Sequence, residues 1–122
     1  MLCPVFCEAQ YYFSTTHRDY YKYNDLTEDF DKVSGYDENS MFKINENLTM
    51  FEHITPNMTS TYYVTNSSFD EDDGQLSLNV TSDVGNEYLY IFDINDNEIR
   101  VLFLDGSNQI LVFQVKKFWT KE

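Results

Sequence analysis

Cysteine disappears from this 122-residue chain after position 7. Cys3 and Cys7 therefore have no downstream partner, which excludes a disulfide framework and a thiolate metal site in the body of the chain. Glycine and proline are scarce too, at four and two. The scattered glycines form no phosphate-cradling loop, and two prolines make no linker. Eight basic side chains stand against 21 acidic ones, a formal net charge of −13 that repels phosphates and anionic lipid headgroups. Nucleic acid is thereby disfavoured as a partner. No stretch approaches the roughly 18 consecutive apolar residues of a helical membrane span. No Gly-x-Ser-x-Gly elbow anchors hydrolase chemistry.

Aromatic residues are abundant, with ten Tyr and ten Phe in a composition that is 42% hydrophobic. That is more apolar material than a disordered acidic segment carries, and the length accommodates one core but not two. A single folded domain is expected. Its acidic surplus is compatible with a self-repelling surface, with weak cation binding, or with docking on a basic protein.

Residues 1–9 read as the remnant of a secretory signal: the apolar run Leu2 to Phe6, then the small residues Cys7 and Ala9 at the −3 and −1 positions before Gln10. The apolar run is short and has no basic residues before it, so a working signal would need chain upstream of Met1. Bulky Phe6 disfavours a lipid anchor on Cys7. The expected location is secreted or periplasmic, or cytoplasmic if residues 1–9 are not a signal but lead into a first strand.

Residues 10–39 form the least regular part of the sequence. Tyr23, Leu26, Phe30 and Val33 recur at intervals of three and four, the stripe of a short helix, and the alternative is an irregular arm that lays its tyrosines over a sheet. From Ser40 onward, turn clusters recur about every 10 to 13 residues, among them Asp70 to Gly74, Asp83 to Asn86, Asn95-Asp96-Asn97 and Asp105 to Asn108. Between them strands are expected at about 40–45, 48–55, 60–67, 75–81, 87–94, 98–104 and 109–117, with a short one at 11–15. Leu76, Leu78 and Val80 alternate with polar neighbours, so that strand has one dry face. Residues 87–117 are apolar on both faces, so their second face needs a cover: the N-terminal segment, a sheet curled on itself, or a partner.

The fold class implied is mainly β, an antiparallel up-and-down meander of seven or eight strands forming a small barrel or half-barrel, with an irregular or short helical N-terminal arm. Residues 40–122 supply the meander, and 10–39 the arm of the same domain. The order of strand lengths resembles a small calycin or lipocalin-type barrel. That resemblance is one of architecture, because no Gly-x-Trp stands near the first strand.

Candidate chemistry is thin. His17 and His53 are the only histidines. His53 shares a strand face with Thr49, Phe51 and Thr55, opposite Leu48, Met50 and Ile54, and is expected at the water or at a barrel mouth. Asp70, Asp72 and Asp73 could hold Ca²⁺ weakly, but aligning Gly74 to the sixth position of an EF-hand loop puts Phe69 first and Val80 twelfth, where acids are needed. Four N-x-S/T triplets, at Asn47, Asn57, Asn66 and Asn79, would be glycan acceptors only in a eukaryotic secretory route. Tyr62, Tyr63, Tyr88 and Tyr90, with His53, are the candidate ligand-binding residues, since tyrosine joins a large apolar body to a hydroxyl. No cofactor is implied.

The leading expectation is an exported, non-enzymatic β-domain that binds a small apolar or aromatic ligand or a protein. A second is an acidic inhibitor or immunity-type protein docking on a basic protein, and a third a small enzyme pairing a carboxylate with a histidine in a barrel pocket. The second needs its acids on one face. The third needs an interior histidine beside a buried carboxylate.

Overall fold

Alternation along each strand decides which side chains enter the core, and turn chemistry decides where the chain reverses. The computed structural model describes residues 10–121; the signal remnant read at 1–9 and both cysteines lie outside the described residues. Eight strands run β1 (Gln10–Asn24), β2 (Asp29–Ile44), β3 (Met50–Ile54), β4 (Thr59–Asp70), β5 (Gln75–Ser82), β6 (Glu87–Asp93), β7 (Glu98–Phe103) and β8 (Gln109–Lys121). Each pairs antiparallel with the next, and β8 returns to β1 from Gln10↔Lys121 to Lys22↔Gln109, closing the sheet into a barrel. Closure leaves the two faces of the sheet as an inside and an outside.

The expected arm or helix at 10–39 is replaced by two long strands. Tyr23, Leu26, Phe30 and Val33 do not share a stripe: Tyr23 sits on β1, Leu26 in the β1–β2 turn, and Phe30 and Val33 on β2. A fifteen-residue β1 stands where only a short strand at 11–15 is expected, and no helix occurs among the described residues. The physical reason is the partner strand. Long-range pairing of β1 with both β2 and β8 saturates its backbone, which an isolated turn of helix cannot match.

Alternating residues 11, 13 and 15 of β1 are buried, as are 40, 42 and 44 of β2, 51 and 53 of β3, 76, 78 and 80 of β5, and 99 and 101 of β7. The interior is filled largely by rings. Phe42 has no exposed surface and stands within ring contact of Phe51, His53, Tyr90, Phe92 and Phe113, at centroid distances of 4.1 to 6.2 Å. Phe13 extends the network to Phe92 at 5.0 Å and Phe118 at 4.6 Å.

Closure covers one face of the 87–117 segment. Its other face stays outside: Leu89 lies opposite Leu102 and Leu102 opposite Ile110, a ladder whose members shield one another to a half-buried state with no further layer above them among the described residues. Substituting threonine for Leu102 is accordingly expected to cost less than about 1 kcal/mol in a urea unfolding titration. A loss of several kcal/mol would mean the ladder is covered.

Candidate functional site

An up-and-down barrel sends alternate turns to opposite ends, and the two ends here are built differently. One end, taken as upper, carries the turns β1–β2, β3–β4, β5–β6 and β7–β8. Each presents one large apolar residue to solvent: Leu26 at 95% exposure, Met58 at 64%, Val84 at 78% and Leu104 at 46%. The lower turns do the opposite. Leu48 and Ile94 fold back on the core, and Glu46, Glu71, Asp72, Asp73 and Asp96 face outward.

Inside the upper rim lie three of the four tyrosines singled out by sequence. Tyr62 stacks on Phe51 at 5.0 Å and meets Tyr88 at 5.9 Å and Tyr90 at 5.3 Å, while Tyr88 stands edge-on to Phe103 at 5.2 Å. Tyr62 and Tyr88 are half-buried; Tyr90 is buried, and that burial holds its phenol well above the ordinary value. Burial also raises Tyr88, against a hydrogen bond with Asn86. Tyr63 points the other way and is 51% exposed on the outer wall, as a one-residue step in a strand requires.

His53 corrects its expected position. It faces inward at 7% exposure, stacked on Phe42 at 4.1 Å and edge-on to Phe113 at 5.3 Å. Phe51 and His53 share the inner face, and the partly apolar set Met50 and Ile54 takes the outer one. His53 Nε2 and Ser40 Oγ are 3.1 Å apart, and Ser40 Oγ shares a further hydrogen bond with Thr15 Oγ1 at 2.5 Å. Burial first, and the positive charge of Arg18 second, push the imidazole down to about 4, so it is neutral at neutral pH. Ser40-Met41-Phe42-Lys43 also spells Ser-x-x-Lys. On a strand the odd separation puts Ser40 inside and Lys43 outside, so the lysine cannot serve the serine.

Arg18 closes this side of the core. Its guanidinium lies 4.9 Å from the centre of the Phe113 ring and 5.4 Å from that of Tyr36, and it donates to Glu38 Oε1 at 2.6 Å. Beside it Tyr20 donates to the Gln109 side chain. A carboxylate is thus near the upper core, but it is held by Arg18, and the hydrogen bond to the interior imidazole comes from a serine.

The second histidine belongs to an outer cluster on β1 and β2. His17 Nδ1 meets Asp37 Oδ1 at 2.7 Å and its Nε2 meets Asp19 Oδ1 at 2.8 Å, while Lys32 Nζ reaches Asp19 at 3.0 Å. Gly35 makes room for it, because a Cβ there would overlap the Asp19 carboxylate. Hydrogen bonds donated to Asp37 and then to Asp19 favour the protonated ring and raise His17 above 6.5. Burial opposes the charge on Asp19, yet Lys32 and His17 outweigh it and hold that carboxyl low. Asp37→Asn is expected to bring the His17 titration midpoint down toward 6.5, followed by NMR of the ring protons. An unmoved midpoint would remove Asp37 as the cause.

The acidic loop is a turn held by its own carboxylate. Asp70 Oδ1 accepts the Asp72 and Asp73 N–H groups at 3.0 and 3.2 Å, and Asn95 Nδ2 donates to the Asp73 carbonyl at 3.0 Å. Among the described residues no three His, Cys, Asp or Glu side chains are gathered as a metal ion would require. The acids do not collect on one face. Asp25, Glu28, Asp83 and Asp105 lie in upper turns and Glu46, Glu71, Asp72, Asp73 and Asp96 in lower ones.

Sequence reasoning passed over Arg18, Glu38, Ser40 and Thr15, whose grouping depends on register alone. The apolar tips had a partial signal: Val84 stands inside a polar turn cluster and Met58 and Leu104 flank two others, as Leu48 and Ile94 flank lower ones, whereas Leu26 lies in the segment read as helix or arm. No protein-family profile, no curated protein and no solved structure matches the chain.

Proposed function

We propose that this protein is an exported, non-enzymatic binding domain that takes an apolar or aromatic group at its upper mouth. The observation that carries the reading is the polarity of the barrel. Three exposed apolar tips, Met58, Val84 and Leu104, stand at the end that holds the half-buried Tyr62, Tyr88 and Phe103, with Leu26 farther out on the projecting β1–β2 hairpin, and the opposite end turns its apolar residues inward. Exposed large apolar side chains grouped at one end are costly to hydration and mark binding surfaces. The rings packed through the middle of the barrel direct the ligand to a shallow seat at the rim rather than to a deep cavity. Eight up-and-down strands support the calycin-type comparison as architecture, and export rests on residues 1–9.

The acidic-inhibitor reading loses support because the acids lie at both ends. The enzyme reading loses support because the interior histidine is held by hydroxyls.

A naphthalene-sulfonate dye offers a direct test. Wild type is expected to enhance its fluorescence, with NMR shift changes at Tyr62, Tyr88 and Phe103. The triple variant Met58→Ser, Val84→Ser, Leu104→Ser is expected to bind about tenfold more weakly with unchanged unfolding. Dye bound at the outer Leu89, Leu102 and Ile110 ladder instead, or equal binding by the variant, would defeat the reading.

A further inference from the structure

β2 is sixteen residues long and its neighbour β3 only five. β3 pairs with Met41, Phe42, Lys43 and Ile44 alone. On the side away from β1, residues 29–39 therefore face no strand among the described residues, and their outward N–H and C=O groups form an open ladder. Folded proteins blunt such edges with proline, with bulges or with a free lysine. This stretch has no proline, its only lysine, Lys32, is drawn to Asp19 at 3.0 Å, and its two irregularities, an extra residue at Val33 and another at 38–39, leave regular runs at 29–32 and 34–37.

The edge also carries apolar side chains that the fold leaves uncovered: Phe30 at 39% exposure, Val33 at 57% and Tyr36 at 50%. At the hairpin tip a groove lined by Lys22, Tyr23, Leu26, Asp31 and Val33 adjoins it. An added strand could set the side chains of one face against Phe30 and those of the other against Tyr36 while its backbone completes the ladder.

Charge selects the occupant. Residues 29–39 hold Asp29, Asp31, Asp37 and Glu38 against Lys32. Asp37 and Glu38 are already engaged by His17 and Arg18, and Asp31 accepts from Asn24 at 2.7 Å, which leaves the tip half of the edge acidic. A second copy of this chain is disfavoured: antiparallel self-pairing about Val33 and Ser34 sets Asp29 opposite Glu38, like charges on strands of a protein with charge −13. We propose that the open edge of β2, residues 29–38, is a strand-addition site for a basic, extended segment of a partner protein. This surface shares with the rim residues Met58, Val84, Leu104, Tyr62, Tyr88 and Phe103 no side chain, so either can fail without the other.

The test uses the full chain and a ten-residue peptide alternating lysine with threonine and valine. Binding is expected to slow hydrogen exchange at the outward amides within 30–38, alternating on each side of the irregularity at Val33, with the acidic peptide of the same pattern, Glu for Lys, binding about tenfold more weakly. Methylating every second peptide nitrogen should abolish binding in one phase and spare it in the other, the signature of a single hydrogen-bonding edge. Asp29→Asn with Asp31→Asn should weaken the lysine peptide, while the triple rim variant Met58→Ser, Val84→Ser, Leu104→Ser should bind it normally. Protection elsewhere, equal binding of both peptides, or indifference to methylation phase would overturn the proposal. So would concentration-dependent dimerisation that protects 30–38 without peptide, which would assign the edge to a second copy.

Discussion

Phe42→Ala is expected to destabilise the barrel by about 3–5 kcal/mol. Phe42 lies at the centre of the ring network, fully buried, touching five rings from β3, β6 and β8. Removing it subtracts the transfer free energy of the ring and leaves a cavity that closed staves cannot collapse to fill. The domain's whole stability is on the order of 5–15 kcal/mol, so the loss should be plain in the urea midpoint with an unchanged slope. A cost below about 1.5 kcal/mol would mean the core is plastic, as volume-conserving swaps are. That outcome would also undercut the rim as the binding site, since a loosely filled lumen could admit a ligand.

The second large effect is acid lability centred on His53. Its folded value is about 4 against 6.5 for the free imidazole, because burial and Arg18 disfavour the charged form. The unfolded chain therefore binds this proton first. His53 contributes stability that is fully present above pH 6.5 and is lost progressively as pH falls from 6.5 to 4, by about 3 kcal/mol in total. Asp19 and Asp93, both held below the ordinary carboxylate value, lose their contributions only below that window. His17 works in the opposite direction, its raised value favouring the folded state at lower pH, but it is on the surface. Comparing wild type with His53→Gln isolates the difference. Unfolding midpoints that fall between pH 7 and 4 in wild type should stay flatter in the variant, and parallel profiles would assign the acid loss to other groups.

The strands after Ser40 were legible because each is short, alternating and bounded by Asn, Asp or Gly turns, and their boundaries agree with the structure closely over 75–82 and 87–103. The first two strands were not. Their residues are Tyr- and acid-rich without clean alternation, and the register shifts between Thr15 and His17 and between Tyr20 and Tyr21 break the period of two that a strand would show. His53 was misplaced because Thr49 and Thr55 made its face look polar. Both lie in turns outside β3, where the strand's alternation no longer governs them.

By itself the sequence determined the class of fold: punctuation by turn residues and alternation within strands are local properties, readable over a few residues. It also carried a partial signal for the apolar tips of the upper turns. Only the tertiary structure decided that β8 closes on β1, that the ladder Leu89, Leu102 and Ile110 lies outside, and that His53, Ser40, Thr15 and Arg18 converge. The open edge of β2 is likewise a difference in length between neighbours. These follow from strand pairing across as much as 111 residues, and which residues meet at that distance depends on the register of the whole barrel.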